Sequence, residues 1–67
     1  MITIFGLEGT NWQAECRSAS RDIIIWKGNE IKEIVRGDTA HNRNEKAHEW
    51  FTENVPEYED SKMIRIQ

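Results

Sequence analysis

The chain has 67 residues, 31% charged and 37% hydrophobic, with a net charge of −3 and a pI near 5.3. That length makes one domain, residues 1–67, which buries only about 60% of its unfolded surface, so wide clefts are excluded and a core must come from bulky side chains. The acidic balance argues against the basic footprint of a nucleic-acid binder. A single cysteine, Cys16, excludes an internal disulfide and favours a reducing compartment.

The first seven residues carry neither the basic region nor the long apolar core of a signal peptide or membrane span, and read as the start of a mature cytoplasmic chain. Residues 2–7 are rich in β-formers and predict a strand ended by Glu8-Gly9-Thr10. Trp12, Ala14 and Cys16 then alternate with Gln13, Glu15 and Arg17, the period of two expected of a half-buried strand. Ser18-Ala19-Ser20 reads as a turn. Residues 23–26 are apolar on both faces, as in a central strand.

Gly28-Asn29 predicts a two-residue hairpin loop with Gly28 supplying the positive φ. In that register Lys27 meets Glu30, Trp26 meets Ile31, Ile24 meets Glu33 and Ile23 meets Ile34, with the opposite charges of Lys27 and Glu30 in its favour. A fourth strand follows over about 31–36, and Gly37-Asp38 ends it.

A helix is expected over about 40–54. Asp38, Thr39 and Asn42 compete for its N-cap, and Asn42 with Glu45 resembles a capping box. Ala47, Trp50, Phe51 and Asn54 share one helical face, with Val55 at its edge, and Pro56 forces the end. A loop over 57–61 leads to a last strand over 63–66. The expected fold class is α+β, a small antiparallel sheet of four to five strands with one helix packed on one face. If Ile23, Ile25 and Ile34 point at that helix, Ile24, Trp26 and Ile31 point away, and that second apolar face is a candidate for self-association.

Three chemistries can be weighed. His41, Glu45 and His48 fall at i, i+4 and i+7, but no fourth ligand accompanies them, so no metal is expected. Cys16 with His48 is the one nucleophile and base pair on offer. Cys16 shares the apolar strand face of Trp12 and Ala14, however, where a thiol is inert. No phosphate loop or serine elbow occurs, and neither an enzyme nor a cofactor is expected. Nucleic-acid binding through Trp12, Trp26 and the sheet arginines is an alternative, although those cations alternate with Glu15, Asp22, Glu30 and Glu33.

Charge distribution is more specific. Between residues 45 and 60 lie six acids and one cation, Lys46, a local charge of −5. The other 51 residues hold six acids and eight bases, a charge of +2, and the parts sum to −3. Glu45, Glu49 and Glu53 recur every four residues and line one helical face at about 6 Å intervals, a few tenths of a kcal/mol per pair against the helix. Glu57, Glu59 and Asp60 extend the row past Pro56, and Tyr58 adds an aromatic anchor. The spacing is comparable to that of phosphates along a nucleic-acid strand, so the row suits a Lys/Arg surface that normally holds DNA or RNA. The bland reading is a solvated face that aids solubility, diluted by Lys46.

In its size and in the exposed Glu45/Glu49/Glu53 row the chain resembles the small inhibitors carried by phages and mobile elements, including anti-CRISPR proteins. The resemblance is one of character rather than motif. It implies a non-enzymatic cytoplasmic protein, acting in a bacterial host cell, that docks on a nuclease or CRISPR effector complex and blocks nucleic-acid access. A dimeric accessory protein is the further alternative.

Overall fold

A computed structural model describes residues 1–17 and 19–67; Ser18, in the expected turn at 18–20, lies outside the described residues. The fold is α+β: a five-stranded antiparallel sheet with one helix packed against it. The strands are β1 (Ile2–Leu7), β2 (Trp12–Arg17), β3 (Asp22–Lys27), β4 (Glu30–Arg36) and β5 (Met63–Arg65), in the order β4-β3-β2-β1-β5. The helix α1 spans Ala40–Asn54 and is followed by a short 3-10 helix over Pro56–Glu59, where the sequence suggested only a loop.

Four strands follow one another as simple antiparallel neighbours, and β5 returns to pair with β1. Backbone pairing continues past Arg65: the Ile66 N–H donates to Ile4 O at 2.8 Å, and the Ile4 N–H to Gln67 O at 3.0 Å. The β3–β4 turn is as expected. Gly28 has φ +64° and no non-glycine residue among those described has a positive φ, so the positive φ falls at the first central position alone, as in a type II′ turn.

The β3–β4 register is right at the turn and wrong beyond it. Lys27 faces Glu30 and Trp26 faces Ile31, but Ile25 then faces Glu33, Ile24 faces Ile34 and Ile23 faces Val35. Lys32 is the extra residue of a β-bulge, and its ammonium pairs with Glu30 at 2.7 Å. The expected Ile24–Glu33 and Ile23–Ile34 pairs are therefore corrected by one residue. The consequence is a change of face, because one residue of slip reverses every later side chain. Val35, not Ile34, joins Ile23 and Ile25 in the core, and Ile34 is 53% exposed on the other side.

The core lies between sheet and helix. Leu7, Trp12, Ala14, Ile23, Ile25 and Val35 supply it from the strands, and Ala47, Phe51 and Val55 from the helical side. Trp12 meets Trp50 and Phe51 edge to face, at 5.8 and 6.1 Å between ring centroids. Tyr58, on the 3-10 helix, stacks on Phe51 at 5.2 Å. Aromatic contacts of this kind add about 0.5–1.5 kcal/mol each beyond area burial, which matters in so short a chain. Asn54 is exposed rather than packed, its amide donating to Trp50 O at 2.9 Å.

Two cations and a glycine hold the start of the helix to the sheet. Arg43 donates to Ser20 O at 2.9 Å and Lys46 to Arg36 O at 3.2 Å. Gly37 is buried directly against the first turn, where a Cβ would come within 2.6 Å of the Arg43 Cα. Only glycine fits that approach. The N-cap is Thr39, whose Oγ1 accepts from the Asn42 N–H at 3.0 Å, while Asn42 Oδ1 accepts from the Asp38 N–H at 3.2 Å. The cap is thus Thr39, one turn earlier than the Asn42–Glu45 box read from the sequence, and the Asn42 side chain reaches back to Asp38 rather than to Thr39.

Candidate functional site

The acidic row is exposed along α1, and Glu49 and Glu53 border a groove that the helix makes with Glu33, Ile34, Val35 and Arg36 of β4. Glu45, Glu49 and Glu53 are exposed, as are Glu57, Glu59 and Asp60 on and after the 3-10 helix. Pro56 does more than end α1. With no N–H to donate, it opens a 3-10 turn instead, and that turn carries the last three acids on from the helical ones. Lys46 points from this ridge to the Arg36 carbonyl, and among the described residues it forms no ion pair with Glu49.

Among the described residues, only one of the six carboxylates has a partner. Glu45 Oε1 lies 2.9 Å from His41 Nε2, an i, i+4 pair that is ionic only while the imidazole is protonated. Among the described residues the side chains of Glu49, Glu53, Glu57, Glu59 and Asp60 meet no donor or cation. Tyr58 is the member of the predicted set that turns inward. It is half-buried, stacked on Phe51, with its hydroxyl 2.7 Å from His48 Nδ1, and burial pushes its phenol above the usual value of 10.0. It fastens the acidic turn to the helix.

His41, Glu45 and His48 border one shallow pocket on α1 with Asn44 and Glu49, but they do not converge on a ligand set. His41 is engaged by Glu45 and His48 by Tyr58, and no cluster of three or more His, Cys, Asp or Glu side chains able to hold a metal is present among the described residues.

Cys16 and His48 also line one groove. The helix covers β3 and β4 and leaves part of β1 and β2 open, forming a cavity of about 280 Å³ floored by Phe5, Ala14, Cys16 and Met63 and edged by Asn44, His48 and Tyr58. The thiol is not activated there. Burial raises it above its ordinary value of 9.0, against a weaker opposing pull from Arg43, so the nucleophilic thiolate is disfavoured. The sequence pairing of Cys16 with His48 thus finds a shared cavity and no hydrogen bond between them.

The two tryptophans proposed for base stacking are separated by the sheet. Trp12 is in the core, with the Lys27 ammonium 5.2 Å from its ring centroid, while Trp26 is on the opposite face, where its Nε1 donates to Glu15 at 3.2 Å. They cannot form a single platform.

Comparison with known protein families, with curated proteins and with solved structures finds no match to this chain. No helix of the described residues is long and apolar enough to cross a membrane.

Proposed function

We propose that this chain is a non-enzymatic interaction protein, an inhibitor that sets its acidic ridge against a basic, nucleic-acid-binding site of another protein. The observation that supports this reading is the set of five exposed carboxylates with no partner among the described residues, carried by a helix and a 3-10 turn fastened to one core. Carboxylates already paired within the fold lose those partners on docking; unpaired ones gain charge-assisted hydrogen bonds from Arg and Lys. The helix fixes the backbone beneath the row, so ordering on binding is confined to the glutamate side chains. The ridge stands in for the phosphates that such a surface otherwise holds, in the manner of small phage and mobile-element inhibitors of CRISPR effector complexes and host nucleases. The opposite placement of Trp12 and Trp26 weighs against the alternative, direct nucleic-acid binding by the sheet.

Displacement tests this. The chain is expected to release a labelled oligonucleotide from the basic channel of a bacterial nuclease or CRISPR effector complex, and the Glu49→Lys/Glu53→Lys variant to lose about 10–100-fold in potency with its circular dichroism unchanged. Free DNA and RNA should show no gel shift with the chain alone. Clear, salt-sensitive shifts would overturn the inhibitor reading in favour of the sheet.

A further inference from the structure

The face of the sheet away from the helix is apolar to an unusual degree for a chain this small. Of nine isoleucines in the sequence, only Ile23 and Ile25 belong to the core. The others lie on the open face, because cross-strand partners share a face and successive residues alternate. Ile34 and Ile24 form one cross-strand row that runs through Glu15 to Ile4, and Ile31 and Trp26 begin the next, through Gln13 to Gly6 and Ile64. At the β5 edge, Ile66 packs over Gly6, where a Cβ would lie 3.3 Å from its Cδ1.

The bulge is what completes this surface. Ile31 and Ile34 are three residues apart and fall on opposite faces of a regular strand. The extra residue Lys32 returns both to the open face, at 48% and 53% exposure.

We infer that this face is the interface of a homodimer, in which two copies pack sheet against sheet with their helices outermost. Three observations select a second copy as the occupant. Charge comes first. The face carries Glu15, Arg17, Asp22 and Arg36, which sum to zero and pair within the chain: Arg17 with Glu15 at 2.9 Å and Arg36 with Asp22 at 2.6 Å. Both Glu15 oxygens are engaged, one by Arg17 and one by Trp26 Nε1. No charge is left unmatched to repel an identical surface or to be buried alone.

Area comes second. Five strands about 4.8 Å apart and about 3.3 Å per residue long make a face of roughly 24 by 20 Å, or about 500 Å². That is about a tenth of the chain's 4682 Å² surface, and two such faces bury about 1,000 Å², the size of a weak, concentration-dependent interface. The third is the position of the acidic ridge. None of its six acids lies in a strand, so two copies can approach through the neutral sheet without setting ridge against ridge.

Sedimentation equilibrium across micromolar to millimolar concentration tests the inference. The chain is expected to sediment at twice its monomer mass, with Ile34→Lys and, independently, Ile66→Lys each raising the dissociation constant at least about tenfold. Both sites are exposed, so the monomers should keep their circular dichroism. A wild-type monomer throughout the range overturns the inference. So does a dimer that survives both substitutions, or one that Glu49→Lys/Glu53→Lys disrupts instead, since that places the contact elsewhere. Ile66 lies at the β5 edge, across the sheet from the β4 edge that Glu49 and Glu53 border, so the displacement assay above can fail while the dimer stands, and the reverse.

Discussion

Asp22 and Arg36 face each other at the ends of β3 and β4 and form the shortest ion pair on the open face. The guanidinium hydrogen bond, with a smaller coulombic contribution, holds the Asp22 carboxyl below its ordinary value of 3.8. Linkage then fixes the sign. A depressed carboxyl favours the folded state at pH values above its unfolded value, and that contribution fades as the pH falls through the lower folded value. Asp22 is solvent-exposed enough that screening keeps the effect small. An NMR titration should place the Asp22 midpoint below that of an ordinary aspartate, and Arg36→Gln should return it toward that value. At this scale the sequence was most informative about exposed groups. The acidic residues could be counted and placed on a helical face from their spacing. The inward turn of Tyr58 was not readable, because stacking on Phe51 depends on the 3-10 geometry that follows Pro56.

Elements were readable where a local rule acts without help. The alternation of Trp12, Ala14 and Cys16, the glycine of the β3–β4 turn and the stop at Pro56 each follow from covalent or steric preference. The bulge at Lys32 is different, since either register keeps Lys27 opposite Glu30. The choice falls to which side chain, Ile34 or Val35, fills the space beside Ile23 under the helix. A signal was present in the odd spacing of Ile31 and Ile34, but it acquires meaning only once both faces of the sheet are known. Helix capping was decided in a similar way. Three residues qualified, and Thr39 takes the position because Gly37 brings the chain so close beneath the first turn. Thr39→Ala should lower stability by about 1 kcal/mol, measured by urea unfolding, with the slope of the transition unchanged.

The whole molecule is a two-layer structure whose surfaces differ in kind: an acidic helical side, a thin aromatic core and a neutral, isoleucine-rich sheet side. That core rests on few residues. Phe51 touches Trp12, Trp50 and Tyr58 and is 2% exposed. Replacing it with alanine removes about 3–5 kcal/mol. At roughly 0.05–0.15 kcal/mol per residue a chain of this length holds only about 3–10 kcal/mol in total. Phe51→Ala should therefore unfold in thermal denaturation far below the wild type, or fail to fold, whereas Glu49→Lys/Glu53→Lys on the exposed ridge should shift the midpoint little. The contrast separates residues that hold the fold from those proposed to meet a partner.

The amino-acid sequence by itself determined the strands and the main helix, their order, the α+β class and the presence of a local acidic row. These rest on periodicity, turn chemistry and charge, all properties of neighbours along the chain. Tertiary structure decided which apolar side chains are core and which are surface. The division of Trp12 from Trp26 and of Val35 from Ile34 depends on the side of the sheet that the helix covers and on a single extra residue in β4. The reason is physical. A strand presents alternate residues to two faces with equal ease, and only the packing of a second layer tells those faces apart.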